Sequence, residues 1–281
     1  MANVHIVVDS TAHLRQELLE NHANLHVVPL TVRLGEREWT EPELGNAELF
    51  LQVSELSLFP RTAQPSPGAF LEIFTPLLAA GNEIIVLTIA SGLSGTAGSA
   101  RSAAEMAGSK GVYIVDSGTT AVGLEKLAEA ALEMAARDMS AGDIARQLTK
   151  LAGVTRTMFI PGTLEYLHKG GRIGGAAALF GSLLQIKPIL FLTDGKVTVL
   201  DKVRTRQRAI ERMLQELTVY GPPIYLGVVN VEAESEAKQL AARLKELYPN
   251  AAVSVSGTGS VLGAHLGPGI LGIVFQNELP R

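Results

Sequence analysis

Apolar and polar positions alternate along this chain in blocks that read as strand, helix, strand. Val4–Val8 is a short apolar strand, and Asp9-Ser10-Thr11 at its end supplies N-cap residues for a helix reaching about Glu20. Leu25–Val32 reads as a second strand, followed by a polar hairpin-like stretch around Gly35 and Trp39 and a helix over Asn46–Ser57. The next helix starts at Ser66 or Pro67 and carries Phe70, Ile73, Phe74 and Leu77 on one face. Ile84–Ile89 and Gly111–Val115 are further strands, and an Ala-rich helix covers Val122–Arg137. Ser140 and Asp143 have the spacing of a capping box for a helix to Leu151. Strands alternating with helices predict a mostly parallel sheet covered on both faces.

The pattern changes near Val154. Arg156–Ile160 reads as a strand and Thr163–His168 as a short helix stopped by Gly170-Gly171. Ile186–Thr193 and Lys196–Lys202 flank Asp194-Gly195, which suits a type I′ turn between two apolar runs. A helix over Arg206–Leu217, a strand over Ile224–Asn230, a helix over Ser235–Leu247 and strands at Ala252–Ser256 and Ile270–Phe275 complete the chain. A hairpin followed by crossover units predicts a mixed sheet, so the expected division is residues 1–154 and 155–281.

Between the Ile84–Ile89 strand and a helix rich in Ala and Ser lies Ser91-Gly92-Leu93-Ser94-Gly95-Thr96. Such a turn leaves hydroxyls and backbone N–H groups converging at the positive end of a helix dipole, a setting for a phosphate or carboxylate. It has no P-loop lysine and no dinucleotide glycine spacing, and Thr96 stands where an esterase elbow has its last glycine. An ordinary turn with a Ser cap fits these residues as well. Two other loops are unusual. Arg61-Thr62-Ala63-Gln64-Pro65-Ser66-Pro67 is stiffened by its prolines, and Thr62 offers a hydroxyl there or is a plain turn residue. His265 sits among Gly263, Gly267 and Gly269, neighbours that add no bulk between the ring and a ligand, or it is a satisfied turn histidine. Arg172 follows the Gly170-Gly171 stop, facing solvent, the site or a partner. Arg204, Arg206 and Arg208 form an exposed helix face or a docking patch. Asp9 and Asp116, each after a strand and before a Ser, read as caps rather than bases.

Composition narrows the classes. A chain of 281 residues has room for one large domain or two moderate ones. A formal charge of -4 argues against broad electrostatic binding to nucleic acid or anionic lipid. With no cysteine, disulfides and thiolate chemistry are excluded, and a reducing cytoplasm is the expected setting. The six histidines show no metal spacing, and no apolar run is long enough to span a bilayer. The start MANVHIVVDS carries no basic or apolar leader, so no secretory signal is expected. No cofactor is expected.

The ordered blocks VDSTAHL, RTAQPSPGAF, SGLSGTAGSA, VDSGTTAVG, TLEYLHKGGRI, LLQIKPIL, VRTRQRA and HLGPG resemble the DegV family of bacterial fatty-acid-binding proteins, which includes the acyl-binding subunit of fatty acid kinase. The resemblance implies an N-terminal three-layer α/β/α domain and a C-terminal two-layer α/β domain with a mixed sheet. It implies a non-catalytic carrier that buries a long-chain fatty acid in an apolar tunnel. Carried over by motif, Thr62, Ser94 and His265 hold the carboxylate, with Gly95 in the same loop, and Arg172 and Arg204 engage a separate ATP-binding kinase subunit that forms the acyl phosphate. The chain departs from the usual pattern at Ala63, Ala90, Ala97 and Pro161-Gly162, which leaves tunnel shape and acyl preference open. Two other readings stand beside this one: an acyl hydrolase with Ser94 as nucleophile and His265 as base, and a small-polyol binder like dihydroxyacetone kinase.

Overall fold

The computed structural model describes residues 3–181 and 186–279. Leu183-Leu184-Gln185, part of the LLQIKPIL block, therefore lies outside the described residues. Strand β1 (Val4–Asp9) leads into a 3-10 turn at Ser10–Ala12 that ends at His13 in the left-handed region. The expected single helix to Glu20 is thus interrupted, and helix α1 spans only Gln16–Asn21. The expected strand Leu25–Val32 is likewise two strands, β2 (Leu25–Val28) and β3 (Thr31–Leu34), in different sheets. Pro29 between them has no N–H for a ladder, and the chain turns there. β4 (Arg37–Thr40) returns beside β3 as the predicted hairpin. Helix α2 (Asn46–Leu56), strand β5 (Arg61–Ala63), helix α3 (Pro67–Ala79), strand β6 (Glu83–Thr88), helix α4 (Thr96–Met106) and strand β7 (Val112–Asp116) follow. Helices α5 (Val122–Ala135) and α6 (Ala141–Gly153) close this half, the second opened by the Ser140–Asp143 cap.

β2, β1, β6 and β7 form a wholly parallel sheet in that order. Its alternating side chains separate two cores. Ile6, Val8, Ile85 and Leu87 pack against Leu124, Leu127 and Ala131 of α5 and Ile144 and Leu148 of α6. Val7, Ile84 and Val86 pack against Phe70 and Phe74 of α3 and Ala100 and Ala103 of α4. That is the three-layer arrangement. The order changes direction between β1 and β6, so a crevice opens beyond their carboxyl ends, where open parallel sheets bind ligands. β4, β3 and β5 make a small antiparallel sheet beside that crevice.

From residue 155 the chain builds a second architecture: β8 (Thr155–Ile160), α7 (Glu165–Lys169), β9 (Lys187–Thr193), β10 (Lys196–Val203), α8 (Arg206–Val219), β11 (Pro223–Val231), α9 (Glu234–Leu247), β12 (Ala252–Ser256), α10 (Ser260–Leu266) and β13 (Ile270–Asn277). The six strands form one mixed sheet ordered β10-β9-β8-β13-β11-β12. Asp194 and Gly195 have φ of 49° and 70°, as a type I′ turn requires. Helices α8 and α9 cover one face, with Met213, Leu217, Leu240 and Leu244 on Met158, Leu226, Leu271 and Phe275. On the opposite face Phe159, Leu190 and Leu192 pack with Leu167 of α7 and with Ala176 and Leu179 of a 3-10 helix at Gly174–Leu179, and Val229 packs with Ile89 and Val122 of the N-terminal half and Leu262 of α10. Among the described residues no helix is long and apolar enough to cross a membrane.

Candidate functional site

That second sheet face, the crevice beyond β1 and β6, and α10 border a cavity of about 290 Å³. Its walls are apolar, with Phe159, Leu192, Val229, Leu262, Ile270 and Val274 prominent. Thr62, Gln64, Ser94, His265 and Arg172 line it too, so four of the predicted residues border a single space. The cavity stands at the lower edge of the size range typical of small-molecule sites. A larger, more open cleft of about 840 Å³ borders the β9–β10 hairpin; Asp116 lies on it, but Thr62, Ser94, His265, Arg172 and Arg204 do not.

Each polar residue arrives from a different element. Thr62 sits on β5, where Val32 of β3 is its pairing partner. Ser94 immediately precedes Gly95, the N-cap of α4, with its Oγ 2.9 Å from Thr96 Oγ1. His265 is in the last turn of α10. His265, expected in a loop, is helical: Gly263 lies within α10 as a point of close approach, while Gly259 and Gly267, the latter at φ 72°, bound it. A Cβ on Gly259 would overlap the Glu41 carboxylate, one on Gly263 the Asn46 amide, and one on Gly267 would lie 2.5 Å from the Tyr166 ring.

Thr62 Oγ1 and His265 Nε2 are 2.7 Å apart. The other ring nitrogen, Nδ1, is buried without a partner, and Gly170 backs onto it. A buried N–H with no acceptor is costlier than a bare lone pair, so the proton belongs on Nε2 and His265 donates to Thr62. The Thr62 hydroxyl proton is then free for a group in the cavity. Burial pushes the imidazole down to about 4, and the Arg172 charge acts in the same direction. His265 is therefore neutral near pH 7.

Arg172 is exposed at the rim, donating through Nε to Leu93 O at 3.1 Å and through Nη1 to Gly170 O at 2.7 Å. Gly95 does not line the cavity; a Cβ there would overlap Gln64, whose amide instead reaches Ser99 Oγ at 2.9 Å. Arg204 is exposed between β10 and α8, away from the cavity. Of its neighbours, Arg206 pairs with Glu236 at 2.7 Å. The hairpin tip meets the Ser/Gly loop backbone to backbone: a Cβ on Gly92 would lie 2.5 Å from Gly195 O.

Sequence reasoning missed a buried polar network behind the wall. Asp9 accepts from Thr11 N and from Ile89 N at 2.6 Å, so it does cap the turn after β1 as expected. Ser10 Oγ accepts from Leu30 N at 2.9 Å and donates to Glu41 Oε2 at 2.5 Å, and Glu41 Oε1 accepts from Val261 N at 3.1 Å. Burial is the main cause that raises Asp9 to about 6 and Glu41 to about 7. Glu41 lies inside a Thr40–Glu43 capping box that is legible in the sequence. Its partner Val261 is 220 residues away, beyond any local signal. Ala121, also in the cavity wall, holds φ 50° and ψ -136°, a strained conformation for a residue with a Cβ.

A mixed α/β fold with an apolar cavity bordered by a few hydroxyls has the general form of a small-molecule site. Residues 3–278 match the family model described as "Uncharacterised protein, DegV family". The DegV domain-containing protein of Streptomyces coelicolor is 38% identical over 281 residues, covering 98% of this chain and 99% of its own. The DegV family protein from Thermus thermophilus described for its fatty acid binding superposes with TM-score 0.90 at 30% identity, covering 98% of this chain and 100% of that one. DegV of Bacillus subtilis, described as a fatty acid binding protein, superposes with TM-score 0.88 at 31% identity over 99% and 100%. The chain belongs to the DegV family.

Proposed function

We propose that this protein binds a long-chain fatty acid, with the acyl tail in the apolar cavity and the carboxylate beside Thr62, Ser94 and His265. The observation that carries this reading is the cavity itself: a largely hydrocarbon-lined space that Thr62, Ser94 and His265 all border, with no lysine in its lining. Hydroxyls hold a carboxylate through charge-assisted hydrogen bonds of roughly 1.5–3 kcal/mol each. An acyl tail adds about 0.8 kcal/mol per buried methylene, on the order of 10 kcal/mol gross for a C16 chain before ordering losses. The tail supplies affinity and the hydroxyls fix direction. In this reading His265 acts through Thr62, turning its hydroxyl proton toward the ligand. The relatives described as fatty acid binding support the ligand class.

The two architectures, residues 1–154 and 155–281, act as two domains with the ligand between them. The carrier presents the carboxylate to a separate ATP-dependent kinase subunit, which Arg172 and Arg204 engage from the exposed surface. A cytoplasmic location fits the cysteine-free composition. Hydrolysis by Ser94 is the weaker reading, because His265 hydrogen-bonds Thr62 and no carboxylate orients its other nitrogen. A small polyol would leave the apolar walls unfilled. Native mass spectrometry and lipid extraction of protein purified from cells test the proposal: a co-purifying fatty acid supports it. Ser94-dependent turnover of a chromogenic ester, or a bound polyol in place of lipid, overturns it.

A further inference from the structure

The polar network behind the cavity wall ties three apolar lining residues by their backbone N–H groups. Ile89 N donates to Asp9, Leu30 N to Ser10 and Val261 N to Glu41. Ile89 and Leu30 follow β6 and β2, two strands of the parallel sheet, whereas Val261 lies on α10, outside that sheet. Ser10 links the last two through its 2.5 Å bond to Glu41. The acidic members are almost wholly buried, Asp9 at 1% and Glu41 at 5% exposure. An ionisable group so deep in an apolar fold is costly unless its bonds do something an apolar residue cannot.

α10 is the element most dependent on this arrangement. It has seven residues, too few to hold itself as an isolated helix. Its first turn is fastened from outside: Glu41 Oε1 accepts from Val261 N, Glu41 O accepts from Ser260 Oγ at 3.4 Å, and Asn46 Nδ2 donates to Thr258 O at 2.7 Å. Gly259 and Gly263 let Glu41 and Asn46 come this close. The other faces of α10 give the cavity Val261, Leu262, His265 and Leu266. A rotation of this short helix would move four lining residues at once and carry the imidazole away from Thr62.

We infer that Glu41, supported by Ser10 and Asn46, is a positioning residue that sets α10 and thereby the His265–Thr62 pair. It does not touch the cavity. The inference deepens the fatty-acid reading and rests on it only for its effect on affinity. Its geometric part concerns the ligand-free protein.

The test compares Glu41→Gln with Glu41→Ala in the full chain. The glutamine amide oxygen still accepts from Val261 N, and its NH₂ donates to Ser10 Oγ, so the clamp survives without the charge. Alanine removes both bonds. The first readout is ring nitrogen NMR of His265 without ligand. In E41Q the ring keeps its wild-type tautomer and depressed titration; in E41A it titrates closer to an ordinary histidine, having left its buried place between Thr62 and Gly170. The second readout is binding of cis-parinaric acid, a fluorescent fatty acid, which E41A weakens by about tenfold and E41Q leaves within about threefold. Should E41A fold poorly, Glu41→Asp, one methylene short of Val261 N, and Asn46→Ala put the same question. A wild-type His265 titration in E41A, or equal losses in E41Q and E41A, overturns the inference. Failure of the wild-type protein to bind the probe sinks the fatty-acid reading instead, and the His265 titration still decides the role of Glu41.

Discussion

Thr62 and His265, 203 positions apart in the chain, meet through a 2.7 Å hydrogen bond that joins the small antiparallel sheet to α10. The bond orients a neutral imidazole and leaves one hydroxyl proton directed by its neighbour rather than by solvent. Ser94 reaches the same cavity from the start of α4. The proposed carboxylate site is therefore assembled from three separate elements and exists only when all of them pack.

Removing a hydroxyl tests that assembly. Ser94→Ala and Thr62→Ala should each weaken fatty acid binding by about tenfold, with His265→Ala acting alongside Thr62→Ala. Isothermal titration with palmitate measures the loss, and thermal unfolding checks that the fold persists. Because His265 acts through Thr62, the double variant Thr62→Ala/His265→Ala should lose little more than either single one. Fully additive losses would mean that the two contact the ligand independently.

Arg172→Ala separates binding from presentation. Its guanidinium is fixed by two backbone carbonyls at the rim and faces solvent. Lipid affinity should stay near wild type while ATP-dependent phosphorylation by an added kinase subunit falls. Simultaneous loss of both would show that Arg172 belongs to the ligand site.

The buried carboxyls predict a pH dependence of stability with a definite sign. Folding raises Glu41 from 4.5 to about 7. Folded protein therefore keeps this proton where the unfolded chain releases it. The resulting stabilisation is full below 4.5 and is lost as pH rises through about 7. Asp9 behaves alike between 3.8 and about 6. His265 opposes them, since its depressed value gives stability above 6.5 that is lost as pH falls through about 4. Glu41→Gln should be more stable than wild type at pH 8, with the gap closing toward pH 5, as urea midpoints will show. A gap independent of pH would place the Glu41 proton elsewhere.

Gly92→Val probes the junction between the Ser/Gly loop and the β9–β10 hairpin. Its Cβ would press on the Gly195 carbonyl at 2.5 Å, backbone that cannot swing aside. We expect a loss of about 2 kcal/mol in unfolding free energy. Gly98→Ala, where no atom lies within 4 Å of the added carbon, is the control and should be neutral or better.

Most elements were legible because their causes are local. The apolar periods of β1, β6 and α5, the Ser140 cap and the Asp194-Gly195 turn each signal within a few residues. One error arose where distant groups decide, another at a local proline. Nothing around Gly259, Gly263 and Gly267 announces that α2, the Glu41 turn and Tyr166 crowd that side of α10, so glycines spaced for packing read as a loop. Pro29 divided an apolar run whose hydropathy alone looked continuous. The motif blocks pointed to Thr62, Ser94 and His265, which all border the cavity. Their hydrogen bonding could not be read, because it depends on which ring nitrogen Gly170 leaves without a partner.

Helices α8 and α9 close one side of the six-stranded sheet, while its other side is shared among α7, the Gly174–Leu179 3-10 helix, α10, the N-terminal half and the cavity between them. A molecule lodged there is interior as much as cargo. It raises the melting temperature by an amount set by its free concentration relative to its dissociation constant. Emptied, the protein returns a greasy wall to water, and its own durability becomes a gauge of how well it is supplied.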